Sequence, residues 1–272
     1  MGSDVDPARW RAGQAVAARP LSGCGSCRYC IAGRPDHCDA FRLVGLDRPG
    51  GFAELVAVPA EELFALPTSL VGAEQALVEP MAIARRALRR TDLRPGETVA
   101  VIGAGPIGLA VTNWARALGA ATIVVSDPSP SRRELALLLG ADVAVDSVAA
   151  DLGAAVRELS GEAPDTVIEC SGRPELIGQA MDHAAVDGRV TIVGVCISEA
   201  SIVPWTGLSK ELDLRFSLYY GREDFTETLT AIDREALDPR AMVTETVDLD
   251  ALPDRFACLV REPDGGKVVV TP

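Results

Sequence analysis

The chain has 272 residues, enough for two domains, with 48% apolar and 4% aromatic residues, as in an Ala/Val/Leu-rich α/β protein. No apolar run approaches the roughly 20 residues of a membrane span, and the net charge of −13 argues against a nucleic-acid or anionic-membrane surface. We therefore expect neither nucleic acid nor membrane as a partner. No charged, apolar, small-residue leader opens the sequence, and four of its seven cysteines are bunched together. Both features point to the cytoplasm and to metal binding rather than disulfides.

The opening MGSDVDPARWRAGQAVAARP reads as a polar turn followed by a strand around Gln14 to Ala18. Cys24, Cys27, Cys30 and Cys38 follow in the spacing C-x2-C-x2-C-x7-C, threaded with Gly23, Gly25, Gly33 and Pro35. Two-residue gaps let successive thiolates converge on one ion, and four thiolates with no open position make a closed, structural zinc site. An iron–sulfur cluster is the rival reading, and unpaired structural thiols a weaker one. His37 is not needed to complete the four and reads as a surface residue.

Gly51 to Pro59 alternates enough to be an edge strand of a β-domain. Val71 to Leu93 reads as helical, with Ala76, Leu77, Met81, Ile83, Ala84, Ala87 and Leu88 on its apolar side. Arg85, Arg86, Arg89 and Arg90 form a basic cluster that reads as a solvated face. Glu79, before Pro80, is either a capping or ion-paired group or a metal ligand facing a cleft.

Glu97 to Asp127 reads as strand, glycine turn, helix and strand, ending on a carboxylate. The apolar run Val99–Ile102 suits a strand buried on both faces. Gly103, Gly105 and Gly108 then stand in the G-x-G-x-x-G spacing. The first glycine permits the tight turn, the second a close approach of backbone to a pyrophosphate, the third the packing of helix on strand. The helix from about Pro106 to Leu118 aims its free N–H groups at the phosphates. Asp127 follows Gly108 by 19 residues, where a carboxylate would bind a ribose 2′-hydroxyl and repel a 2′-phosphate. NAD is thus favoured over NADP, although Arg132 and Arg133 lie close enough to receive that phosphate.

Helices near Pro130–Leu139, Ala149–Leu159 and Pro174–Ala184 alternate with strands near Val143–Val145, Thr166–Cys170 and Arg189–Val195, and a last strand is expected at Leu212–Tyr219. Such repetition implies a doubly wound parallel sheet, a Rossmann fold, with ligands beyond the carboxyl ends of the strands. Cys170, Ser171, Gly172, Gly194 and Val195 fall on that side. His183, on a helix, reads as structural. From Gly221 the pattern changes to a helix near Glu223–Ile232, a strand near Met242–Val247, a helix near Leu252–Arg261 and a final strand at Lys267–Val270. We expect this tail to return to the N-terminal β-domain.

The segments CGSCRYCIAGRPDHC, GGFAELVAVPAEELFALP, ALVEPMA, LRPGETVAVIGAGPIGLA, IECSG, GRVTIVGV and KVVVTP together resemble the zinc-containing medium-chain dehydrogenase/reductase family, and within it the polyol and threonine dehydrogenase branch. The resemblance spans the whole chain. It implies a GroES-like catalytic domain with a zinc lobe (1–78), an NAD-binding Rossmann domain (79–220) and a return to the catalytic domain (221–272). It also implies hydride exchange between a secondary alcohol or polyol and nicotinamide C4, in a dimer or tetramer joined near Leu214 to Tyr219. Ile107, with its neighbours in the glycine loop, would line the cofactor, as would Gly194 and Val195, and Arg132 the adenine side. Glu79 would be one ligand of a second, catalytic zinc. Tyr219 stands where the branch commonly has an arginine.

Family members carry, before the cysteine lobe, a cysteine ligand, a Gly-His-Glu ligand motif and a proton-relay hydroxyl. Here 23 residues precede Cys24, none of them His or Cys. Glu79 alone cannot hold a catalytic zinc, which needs about three protein ligands. Removing the first strands of a closed β-domain would also leave unpaired edges. The expectation is that Met1 is an internal start of a longer protein and that the catalytic zinc depends on the missing segment. Two alternatives remain: a non-redox or remnant protein that binds NAD and structural zinc, and an NAD enzyme without catalytic zinc that uses Tyr219 or Tyr220 as acid.

Overall fold

The computed structural model describes residues 6, 8–262 and 265–272. The opening residues on which the expected internal start rests lie, Asp6 aside, outside them.

The centre is a six-stranded parallel sheet built as the alternation predicts. Its strands are β5 (Thr98–Ile102), β6 (Thr122–Ser126), β7 (Val143–Val145), β8 (Thr166–Glu169), β9 (Arg189–Ile192) and β10 (Asp213–Phe216), in the order β10-β9-β8-β5-β6-β7. The chain winds outward from β5 through β6 to β7, then returns to wind the other way from β8. The strand order reverses between β5 and β8, and a crevice opens there beyond their carboxyl ends.

Along β5 successive side chains alternate faces but all are apolar. Val99 and Val101 pack into one core with α2 (Val78–Thr91) and α3 (Pro106–Ala117), while Ala100 and Ile102 join another with α5 (Leu152–Ser160) and α6 (Pro174–His183). Both faces are buried, so the strand reads as a continuous apolar run. On α2, Val78, Met81, Ala82, Ala84, Ala87 and Leu88 are almost wholly buried. Each of the larger ones contributes about 1.5–3 kcal/mol on removal from water. The Trp114 indole N–H donates to the Met81 carbonyl at 2.9 Å, fixing α3 on α2. The helix α4 (Pro130–Leu138) links β6 to β7.

The N-terminal part is built of short pieces. Strand β1 (Val16–Ala18) pairs antiparallel with β4 (Leu63–Ala65), and β2 (Leu21–Ser22) with β3 (Arg42–Leu43). The one-turn helix α1 (Arg28–Ile31) lies within the cysteine cluster. Arg19, 3% exposed, makes two hydrogen bonds to the Glu62 carboxylate at 2.7 and 3.0 Å, and Arg222 approaches the same carboxylate at 3.2 Å. This buried pair ties the β-part to the start of α8 (Arg222–Asp233), where Phe225 also packs on Phe64 with ring centres 4.6 Å apart. The tail ends in the parallel pair β11 (Val243–Asp248) and β12 (Lys267–Thr271), joined through α9 (Leu252–Arg261).

Three expectations need correction. Gly51 to Pro59 forms no strand: among the described residues no backbone pairs with it, and Phe52 and Leu55 are largely exposed. The expected helix from Val71 divides into a 3-10 segment, Gly72–Leu77, and α2. A further helix, α7 (Pro204–Lys210), escapes prediction because Trp205 and Leu208 on it face outward and leave no buried stripe to read.

Candidate functional site

The glycine turn after β5 forms as its spacing requires. Gly103 has φ +93° and sits against the turn after β8, where an added Cβ would lie 3.2 Å from the Ser171 nitrogen. Gly105 is the residue before α3, with extended backbone and open space where a Cβ would be. Pro106 occupies the first turn of α3, where its missing N–H costs nothing. Ile107 turns inward onto the core. Gly108 packs so closely on the turn that a Cβ there would meet the Gly103 carbonyl oxygen at 1.8 Å. The three glycines thus serve three separate physical ends.

Asp127, 4% exposed, ends β6. One of its carboxylate oxygens accepts the Ala104 N–H at 2.8 Å and the other accepts the Ser129 N–H at 2.8 Å. The carboxylate therefore braces the glycine turn as well as facing the crevice, and retains lone pairs for a ribose hydroxyl. A cavity of about 700 Å³ runs from Gly103 past Asp127 and Pro128 to Arg132 and His183. Arg132 lines it while donating from Nε to the Gly265 carbonyl at 3.1 Å. The His183 imidazole there is shifted down, first by burial. The free N–H groups at the N-terminus of α3 follow the same glycine turn, and such a helix end can receive a phosphate.

Gly194 and Val195 do not line that cavity. They line a second one, of about 660 Å³, beyond the ends of β9 and β10. The two are separated by a contact between turns: a Cβ on Gly194 would meet the Gly172 nitrogen at 2.1 Å. Glu169, wholly buried, holds this contact and went unnoticed in the sequence. One of its oxygens accepts from the Ser171 N–H at 2.7 Å, the Gly172 N–H at 3.0 Å and the Ser171 hydroxyl, while the other has no partner. Only its place at the end of an apolar strand could have marked it. Burial, then the neighbouring Glu169 carboxylate, pushes the adjacent Cys170 thiol up.

The four cysteine sulfurs all lie within 4.8 Å of one another. Backbone N–H groups of Cys24, Cys27, Cys30 and Ala40 point at sulfurs of the set, at 3.3–3.4 Å. The Ser26 hydroxyl and backbone hold the Cys24 thiol down to about 6. Desolvation, then the neighbouring cysteines, pushes Cys30 up to about 12. Four thiolates so close would repel one another without a cation between them, and their closed arrangement fits structural zinc. His37 contributes no ligand: it lies beside Asp36 at 2.5 Å and against Arg34.

Glu79 lies in the first turn of α2, its carboxyl raised above the usual range chiefly by burial. Tyr220, 1% exposed, faces it without a hydrogen bond of ordinary geometry, and its phenol is pushed up by burial and then by Glu79. Among the described residues the four cysteines are the one cluster of three or more potential metal ligands, so Glu79 belongs to no second one. Tyr219 takes φ +54°, costly for a bulky residue, and packs on Phe41 with ring centres 5.2 Å apart.

Residues 1–68 match the alcohol dehydrogenase GroES-like domain, and residues 106–234 match the zinc-binding dehydrogenase domain. The chain is 33% identical to 2-dehydro-3-deoxy-L-galactonate 5-dehydrogenase of Pseudoalteromonas atlantica, over 95% of this chain and 75% of that protein. It is 33% identical to L-threonine 3-dehydrogenase of Anaeromyxobacter sp. (strain K), over 99% of this chain and 77% of that protein. A zinc-binding dehydrogenase of Sinorhizobium meliloti 1021, solved with NADP bound, superposes with a TM-score of 0.88 at 31% identity, covering 100% of this chain and 79% of that one.

Proposed function

The chain belongs to the zinc-binding alcohol dehydrogenase family, and from that premise we propose that it is an NAD-dependent dehydrogenase of a secondary alcohol or polyol. The observation that carries this reading is the pair of turns at Gly103–Gly108 and Asp127, with a cavity shaped for the nucleotide between them. Bound NAD would supply the hydride acceptor. Gly103, Gly105, Pro106, Ile107 and Gly108 would shape the pyrophosphate seat, with Asp127 on the ribose and Arg132 beside the adenine. Gly194 and Val195 would face the nicotinamide end. The four cysteines would hold structural zinc and keep the lobe folded. We take 1–78, 79–220 and 221–272 as the working division of the chain.

Glu79 remains our candidate for a ligand of a catalytic zinc. The described residues place no second or third ligand beside it, so no metal-assisted step is derived. The second reading is a chain that binds NAD and structural zinc without redox chemistry. We further propose a cytoplasmic protein, in keeping with cysteines gathered as a metal site rather than as disulfides. We also propose a homodimer or tetramer joined along the free edge of β10, where Phe216 and Leu218 are more than half exposed.

Titration of the purified chain with NADH and NADPH, followed by nicotinamide fluorescence, tests the nucleotide assignment. NADH should bind more tightly, and Asp127→Ala should erase the preference. Equal binding of both nucleotides by the unaltered chain would refute the role given to Asp127. Zinc content and NAD reduction with a panel of secondary alcohols then separate the readings: two zincs and turnover support the first, one zinc and no turnover the second.

A further inference from the structure

The basic cluster on α2 divides into two unlike pairs. Arg85 and Arg89, four residues apart on one side of the helix, are neutralised by α8. Arg85 meets Glu227 at 2.7 Å, and Arg89 meets Asp224 at 2.9 Å and Glu227 at 2.8 Å. Arg86 and Arg90, one position on and rotated by about 100°, face the cavity beyond β9 and β10 instead. Neither meets a carboxylate among the described residues. Arg90 spends its Nε–H on the Phe216 carbonyl at 2.6 Å, leaving its other nitrogens free of carboxylates. Among the described residues the Arg86 guanidinium makes neither hydrogen bond nor ion pair.

The zinc lobe adds to this charge. Arg34 and His37 line the same cavity, and the one carboxylate beside them, Asp36, is shared by both, 3.5 Å from Arg34 and 2.5 Å from His37. Arg86, Arg34 and Arg215 all bear on Arg90 and, after burial, weaken its hold on its proton. In a chain of net charge −13 this is a local excess of guanidinium around a half-open cavity, although Arg34 and Arg86 also line an adjoining groove with Asp36 and Glu223. The opposite wall is apolar, formed by Ile192, Val193, Ile202 and Leu214. Arginines gathered with few carboxylates beside them repel one another and are relieved by an anion. Guanidinium groups match the paired oxygens of phosphate and carboxylate.

We propose that this cavity binds the phosphate or carboxylate group of a small molecule through Arg86, Arg90 and Arg34. Resting on the dehydrogenase reading above, we assign that group to the substrate, which is then an anionic rather than a neutral polyol. The cavity includes Gly194 and Val195 at the end of β9, so the anion would anchor the substrate while its carbon chain runs toward the strand ends.

The test uses the whole chain, with binding read by thermal shift and calorimetry and NADH fluorescence run on the same samples. The probes are inorganic phosphate, sorbitol 6-phosphate, gluconate and sorbitol. Expected is saturable binding of phosphate, tighter binding of sorbitol 6-phosphate or gluconate, and none of sorbitol at the same concentration. Arg86→Ala should weaken anion binding at least about tenfold, as loss of one charge-assisted contact implies, and leave NADH affinity and Tm unchanged. Arg85→Ala, on the paired side, should leave anion affinity unchanged. No anion binding with normal NADH binding overturns this proposal alone, whereas failure to bind NADH overturns the dehydrogenase reading instead. Equal affinity for phosphate and both anionic polyols would overturn the assignment to substrate and leave an oxyanion site.

Discussion

Gly105 and Gly108 stand three residues apart in one motif, and the structure gives them opposite physical duties. An alanine methyl at Gly108 would fall 1.8 Å from the Gly103 carbonyl oxygen and 2.8 Å from its carbon. Ordinary carbon–oxygen contacts are about 3.3–3.6 Å, so α3 must retreat by roughly 1.5 Å. The turn cannot yield instead, because the Gly103 N–H is bound to the Ser126 carbonyl at 2.8 Å. We expect Gly108→Ala to cost about 3 kcal/mol, the upper end for overpacking, or roughly 6–10 °C of Tm. At Gly105 an added methyl meets nothing within 4 Å, and φ is −66°, which any residue adopts. Gly105→Ala should therefore stay within about 1 kcal/mol of the parent, a small loss of capping offset by reduced freedom of the unfolded chain. Its methyl would stand where the pyrophosphate must approach, so NADH affinity should fall more than about tenfold. Urea unfolding and NADH fluorescence on both variants separate the effects. If Gly105→Ala binds NADH as the parent does, the nucleotide does not cross this turn. If Gly108→Ala is as stable as the parent, the reasoning from steric contact is wrong.

Cys27→Ser should abolish bound zinc, measured by mass spectrometry of the metal, because the remaining three sulfurs no longer close the site; an unchanged metal content would show that the ion sits elsewhere. Glu62→Gln should cost about 3 kcal/mol in urea unfolding, since it strands the buried Arg19 and removes the second contact of Arg222; a change under 1 kcal/mol would place the pair effectively in solvent. Glu79 gives a pH signature. Burial raises its folded-state value above the ordinary 4.5, so the folded chain retains a proton that the unfolded chain releases. Stability from this group is full below the unfolded value and is lost as pH rises through the folded one. Glu79→Gln should remove that loss, so the Tm of the variant should gain on the parent as pH rises above the ordinary carboxylate value of 4.5. A constant difference as pH rises would mean that Glu79 is solvated.

The legible parts of the chain were those whose chemistry is local. A glycine turn needs only its own spacing and the strand and helix on either side. The cysteine cluster likewise closes within 15 residues of sequence. The parallel sheet was readable because both faces of each strand are covered, so that Val99, Ala100, Val101 and Ile102 declare themselves without reference to any partner. Facts of orientation and partnership were not legible. Four arginines within six positions look alike in sequence; only the placement of α8 shows that Arg85 and Arg89 are spent on carboxylates and that Arg86 and Arg90 are not. Glu169 carries no mark distinguishing it from any acid at a strand end until Gly172 and Gly194 are seen meeting above it.

Gly51 to Pro59 shows the limit most directly. Its residues have the alternation and β-branching of a strand, yet alternation records only which side chains could share a face. A strand is completed by backbone partners, and among the described residues nothing pairs with this segment: Phe52 and Leu55 remain 67% and 90% exposed. The same logic bears on Glu79. Its burial and its place at the start of α2 are intrinsic to the chain, but a ligand's role is defined by what converges with it, and among the described residues no group of His, Cys, Asp or Glu ligands includes it. The strand pattern and the carboxylate therefore pose one question. Both have the character of half a contact, and both would be answered by finding backbone and side-chain ligands that meet them together.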